Sequence, residues 1–240
     1  MNTKNTVLHK AESRGHANHW WLDTYHTFSF GEYYNPKRMH FGALRVLNDD
    51  IISAGKWFGT HPHDNMEIIT IPLEGDFEHK DSMGNTTVIK ENDIQVMSAG
   101  KGILHSEYNR NADKEVKLLQ IRILTNKKDV EPRYDQISLW DIEKTNSFYQ
   151  ILSPSKDDQG VWIYQDARFH LGNFESEKSA NYQIRKKWNG IYVFVIEWEI
   201  EVEGQKLSRR DGFWVRNVEK IEVKSSKDSK ILIMEVPMIT

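Results

Sequence analysis

Helical periodicity is scarce in this 240-residue chain, and its apolar residues fall instead in short runs closed by turn formers. Residues 66–71, 86–89, 94–97, 116–123 and 182–184 form such runs. The breaks between them carry Glu74-Gly75, Met83-Gly84-Asn85, Glu91-Asn92-Asp93 and Gly100-Lys101-Gly102. Segments that short, at that spacing, predict the strands of an all-β sandwich or barrel. The rhythm returns in the second half, with a long alternating run at 190–201, turns at 202–205 and 210–212, and apolar segments at Val215, 221–223 and 231–236. Between the halves, residues 125–146 are polar and contain Pro132, which reads as a linker with a short helix at 137–143. The expectation is two β units, residues 1–130 and 131–240, each long enough to enclose a core.

Composition narrows the function. Aromatic residues make up 11% of the chain, too large an apolar payload for a disordered protein. The formal charge of −3 offers no broad cationic surface for nucleic acid. With no cysteine, a disulfide framework, a thiolate metal site and a cysteine nucleophile are all excluded. Residues 1–10 lack the apolar stretch of a signal peptide, and no run approaches the length of a membrane span, so a cytoplasmic location is expected. No phosphate-loop, serine-hydrolase or zincin motif occurs.

Histidine carries the chemistry. Nine of the ten histidines lie at or before position 105, and only His170 lies beyond. In Gly55-Lys56-Trp57-Phe58-Gly59-Thr60-His61-Pro62-His63, the two histidines are spaced to share one face of an extended segment. A second pair, His105 and Glu107, follows the Gly100-Lys101-Gly102 turn at the same spacing. A single His-x-His is often a polar surface pair. Two such pairs, each preceded by glycines, point to a metal. If both line a barrel interior, three imidazoles and a carboxylate reach one point. Such a set suits Fe(II), Ni(II), Cu(II), Mn(II) or Zn(II) better than Ca(II) or Mg(II), and with Fe(II) leaves open positions for substrate or O₂. Trp57 and Phe58 read as core or as the wall of a flat pocket. His26 and His40 read as framework or as outer donors to the metal, and His79-Lys80-Asp81 as hairpin chemistry. The doublets Lys186-Lys187 and Arg209-Arg210 read as solvated faces.

Gly55, His61, His63 and Glu67 fit the first motif of the cupin superfamily, G-x5-H-x-H-x3-E. More narrowly, residues 26–31, 41–50, 61–67, 79–84 and 97–107 resemble the pirin family, densely over 14–110 and more loosely thereafter. The resemblance implies a bicupin of two double-stranded β-helix barrels with a few short helices. It implies one metal, in the N-terminal barrel, held by His61, His63, His105 and Glu107. Glu67, the ligand in many other cupins, is then a reserve ligand or a supporting carboxylate. The C-terminal barrel is expected to be metal-free. Fe(II) is the first expectation for the ion, with Ni, Cu, Mn, Co and Zn also admitted.

Short bacterial members resembling this chain are described as quercetin 2,3-dioxygenases. The activity implied is therefore metal-dependent opening of a flavonol heterocycle by O₂ with release of carbon monoxide, with Glu107, or Glu67 if it carries no metal, as the catalytic base. Two alternatives stand beside it: a metal-containing regulatory protein that acts on a protein partner without turnover, and a bicupin isomerase or sugar-binding enzyme.

Overall fold

The computed structural model describes residues 5–238, and the short runs emerge as strands. Helical structure among the described residues is a single three-residue 3-10 turn at Ala11–Ser13. The strands form four sheets, two of seven strands and two of four. In the N-terminal half the seven-stranded sheet runs Arg133–Ser138, Asp93–Ser98, Met66–Glu74, Val116–Leu124, Leu44–Ile52, Leu22–His26, Gly15–Asn18. Its four-stranded partner runs Trp57–His63, Ile103–Tyr108, Phe77–Asp81, Thr86–Ile89. Apolar contacts join the two, with Leu22, Ile52 and Leu118 against Phe77, and Ile68 and Met97 against Ile103. The C-terminal half repeats this pairing of a seven-stranded with a four-stranded sheet, as expected for a bicupin.

Two strands cross the division expected at residue 130. Asn5–His9 pairs with Gly212–Arg216 and so belongs to the C-terminal sheet, anchored where His9 Nδ1 meets the Tyr192 hydroxyl at 2.9 Å. Arg133–Ser138 pairs with Asp93–Ser98 and covers what would otherwise be an open edge of the N-terminal sheet. The helix expected at 137–143 is thus the end of a strand followed by a turn, closed by hydrogen bonds from the Ile142 and Glu143 amides to the Leu139 carbonyl.

Strand alternation gives each seven-stranded sheet two chemically different faces. The outer faces pack on one another through Leu47, Ile69, Val96, Leu119 and Ile121 from one half and Phe169, Leu171, Phe194, Leu232 and Met234 from the other. Full burial of such a side chain is worth about 1.5–3 kcal/mol. Within this interface Asp49 takes Arg14 at 3.1 Å and Arg210 at 3.0 Å. Arg210 is therefore buried, and only its neighbour Arg209 matches the solvated reading of that doublet.

The inner faces differ. In the C-terminal barrel, Phe213, Val193 and Ile233 are successive register partners and fill the interior with Val195, Ile231 and Val223. In the N-terminal barrel the corresponding kind of row is polar: His26 faces Asn48, Asn48 faces Gln120, Gln120 faces Thr70, and Thr70 faces Gln95, all five buried. A polar belt inside a barrel costs free energy unless its groups find partners, so this interior is built for something other than stability.

Candidate metal centre

The two histidine pairs meet on adjacent antiparallel strands. Trp57–His63 pairs with Ile103–Tyr108, with His105 opposite His61 and Ile103 opposite His63. Between His105 and Glu107 the register slips, because Glu107 faces Phe58 and the outer strand carries an extra residue at Gly59–Thr60. The bulge turns His61 toward the site and brings the Gly59 carbonyl within 2.8 Å of its Nδ1. That nitrogen donates its proton to the carbonyl, which leaves Nε2 as a lone-pair donor. The turn before Ile103 depends on glycine: Gly100 lies at φ +49, and a Cβ there would stand 2.0 Å from the Val130 carbonyl oxygen.

The side chains converge. Ring centroids of His61 and His105 lie 4.3 Å apart, those of His63 and His105 5.0 Å, and those of His61 and His63 4.9 Å. Ligand atoms of these three histidines all fall within 4.8 Å of one another, and so do those of a second group, His79, His105 and Glu107. His105 belongs to both. Neither of its ring nitrogens has a hydrogen-bond partner, although the side chain is buried, and His63 Nε2 and His79 Nδ1 are equally unpartnered. Burial, reinforced by Arg122 and His61, pushes His63 down to about 4. Burial and the neighbouring imidazoles push His105 down to about 2. Both rings are neutral at ordinary pH, the form that binds metal. Orphaned, neutral, converging imidazoles beside a carboxylate fit a divalent transition-metal ion.

Glu107 is buried, and burial lifts its carboxyl to about 7 against the opposing influence of Gln120 and Arg122. Gln120 Nε2 donates to its Oε1 at 3.2 Å. His61 and Glu107 open onto a cavity of about 630 Å³. Trp21, Phe30, Tyr33 and Phe58 give it aromatic walls, and Asp50, Gln120 and Arg122 give it a polar end. The Arg122 guanidinium lies 5.1 Å from the Phe30 ring centre, its Nε without a partner. Asp50, hydrogen-bonded by Thr24, is raised by burial to about 7.

Other expected residues separate. Phe58 lines the cavity, whereas Trp57 is largely exposed and packs edge-on against Tyr108. His26 also lines the cavity, held by Asn48 at 3.0 Å, whereas His40 is framework, bonded to the Gly42 carbonyl. Glu67 joins neither ligand group. A turn at Asn65, with φ 44, ends the histidine strand, and Glu67 is the second residue of a strand of the other sheet. There it shares the outward parity of Ile69 and Ile71, and Ser98 Oγ donates to it at 2.6 Å. His79 is the addition that hairpin chemistry concealed. Asp81 does cap the turn through the Met83 and Asn85 amides, but it also accepts a hydrogen bond from His79 Nε2 at 3.1 Å and leaves Nδ1 free beside His105. Its i, i+2 spacing was the available signal. For Gln120 and Arg122 it was their alternation within an otherwise apolar strand.

Known proteins resemble the chain over nearly its whole length. The family model Pirin matches residues 7–123, and Quercetinase C-terminal cupin domain matches 150–236. Quercetin 2,3-dioxygenase of Escherichia coli (strain K12) is 39% identical over 232 residues, covering 97% of this chain and 99% of that protein. The crystal structure of YhhW from Escherichia coli superposes with a TM-score of 0.93 at 39% identity, covering 98% of this chain and 99% of that one. A structure of the bacterial pirin YhhW from Escherichia coli in complex with nickel(II) superposes at 0.92 with 38% identity, covering 98% and 100%.

Proposed function

Because this chain belongs to the pirin family, we propose that it is a metal-dependent dioxygenase that opens the heterocycle of quercetin-like flavonols with O₂ and releases carbon monoxide. We assign the metal to His61, His63, His105 and Glu107. The observation that carries the reading is that two of these donors, His61 and Glu107, form one end of an aromatic-walled cavity of about 630 Å³, a size that suits a flat tricyclic substrate. The nickel(II) complex of YhhW, 38% identical, supports a divalent ion without choosing among Fe, Ni, Cu, Mn, Co and Zn.

A divalent ion held by His61, His63, His105 and Glu107 would supply Lewis acidity for the adjacent hydroxyl and ketone of a flavonol. The protein does the rest. Trp21, Phe30 and Phe58 hold the flat rings and exclude water. A Glu107 oxygen takes the proton of the flavonol hydroxyl, and Gln120 Nε2 steadies that carboxyl from behind. The Arg122 guanidinium, free of any ion pair among the described residues, faces the negative charge that proton removal leaves on the substrate oxygen. His79, clamped by Asp81, packs against His105 and fixes its ring plane.

The test is aerobic loss of quercetin absorbance, with carbon monoxide measured, in protein loaded separately with Fe(II) and Ni(II). Turnover is expected to vanish in His61→Ala and His105→Ala and to fall by about 10²–10⁴ in Glu107→Gln, the usual worth of a general base. Metal-loaded protein that turns over no flavonol sinks the proposal and leaves the regulatory and the isomerase or sugar-binding readings.

A further inference from the structure

The C-terminal barrel is apolar along most of its interior but not at one end. His170 continues the row formed by Phe213, Val193 and Ile233, and Gln150 follows it; in the neighbouring row Ile191 is succeeded by Glu235 and Arg168. His170 is 4% exposed, and neither of its ring nitrogens makes a hydrogen bond among the described residues; Nδ1 is fully enclosed. It borders a cavity of about 460 Å³ that lies in the other half of the molecule from the metal centre. Phe148 and Tyr182 give this cavity aromatic walls, their rings 5.8 Å apart and perpendicular, and the Tyr182 ring lies 4.9 Å from His170. Lys144 and Arg185 stand at its mouth with no ion-pair partner among the described residues.

The buried carboxylate of Glu235, bonded to the Arg185 amide, does not cancel these cations. Glu235 is fully buried and already accepts from the Tyr182 hydroxyl at 2.8 Å, the Arg185 and Lys186 amides at 2.9 Å each, and Asn189 Nδ2 at 2.9 Å. Four donors satisfy it, and two of them pin the backbone that carries Arg185 at the rim. The cavity therefore combines an aromatic corner, a buried imidazole with an unused N–H, and a guanidinium carried on a pinned stretch of backbone. We propose that this cavity is a second binding site, separate from the metal centre, for a small aromatic carboxylate whose ring lies against Phe148 and Tyr182 and whose carboxylate meets Arg185 and the His170 N–H. A buried imidazole donor and a guanidinium together select an anionic oxygen over a neutral one.

Benzoate is the probe, titrated into Zn(II)-loaded full-length protein while the histidine side-chain nitrogen resonances are followed. The ten histidines are resolved by substitution, so His170 is read apart from positions 61, 63 and 105. Benzoate is expected to shift the His170 resonance saturably, with neutral benzamide and ringless acetate each binding at least about tenfold more weakly. Arg185→Gln is expected to weaken benzoate about tenfold in the same titration; Arg185 is exposed, so its variant tests the site without disturbing the core. Benzamide binding as well as benzoate overturns the anionic recognition, and acetate binding as well as benzoate overturns the aromatic part. An unmoved His170 resonance, or an unchanged affinity in Arg185→Gln, overturns the site.

Discussion

Substituting His105 by leucine should stabilise the metal-free protein and cripple the metal-bound one. The side chain is 2% exposed and both ring nitrogens are unpartnered, so the apo fold carries the full desolvation cost of an imidazole. A buried polar group left unsatisfied costs about 1–3 kcal/mol, and leucine, of similar volume, removes that cost without opening a cavity. Unfolding entropy of about 2.1 cal/mol/K per residue gives a 240-residue chain about 0.5 kcal/mol per degree, so the metal-free variant should melt about 2–6 °C above wild type. Metal at about a thousand times its Kd then adds about 4.1 kcal/mol, or about 8 °C, to wild type alone. The two melting temperatures should cross as Ni(II) is titrated into chelator-treated samples under calorimetry. A variant that melts several degrees below wild type without metal would mean that the nitrogens are satisfied in the fold. A variant that keeps the whole metal-dependent rise would mean that His105 is no ligand.

Glu67→Gln probes a carboxyl outside the site. Burial raises its folded pKa from 4.5 to about 7, so the folded chain holds that proton more tightly than the unfolded one, and stability is lost as pH climbs from about 4.5 to 7. The variant should exceed wild type by about 3 kcal/mol at pH 8 and match it below about pH 4.5, read from urea midpoints at the two pH values. Gly100→Ala meets both a left-handed backbone and the Val130 carbonyl, and should cost at least about 2 kcal/mol while weakening metal binding by shifting the strand that carries His105. Arg122→Gln should lower kcat for quercetin about tenfold with a smaller change in KM; unchanged kinetics would remove Arg122 from stabilising the deprotonated substrate.

What the sequence made legible is what short range decides. Alternation with period two is a local property, so the runs at 66–71 and 116–123 and the pairs His61/His63 and His105/Glu107 could be read directly. Three features needed distant partners. Asn5–His9 pairs with a strand some two hundred residues away, and nothing in its own residues says so. Arg210 looks like half of a surface doublet until Asp49, from the other half of the chain, closes on it. Glu67 follows the cupin spacing from His63, yet one left-handed residue, Asn65, ends the strand between them and starts the next in a different sheet. Spacing along the chain fixes a shared face only while the strand lasts.

The contrast between the barrels shows what a sequence of this kind encodes about chemistry. Both inner faces are built on register rows across seven strands, and only the occupants differ. Filling a row with Phe213, Val193 and Ile233 yields a core. Filling one with His26, Asn48, Gln120, Thr70 and Gln95 yields a surface that tolerates, and partly lacks, hydrogen-bond partners: Thr70 Oγ1, Gln95 Nε2 and Gln120 Oε1 have none. A chain under selection for stability alone would replace those groups with apolar ones, because an unmade buried hydrogen bond is costlier than none at all. The polar row survives next to the strand that presents His105 and Glu107, and Gln120 reaches from the one to the other. The outward-facing residues of the same strands, Ile69, Val96, Leu119 and Ile121, supply the interface that offsets that cost. Stability and reactivity are thus separated by a single residue along each strand, and the side of the sheet, rather than the position in the chain, decides which of the two a residue serves.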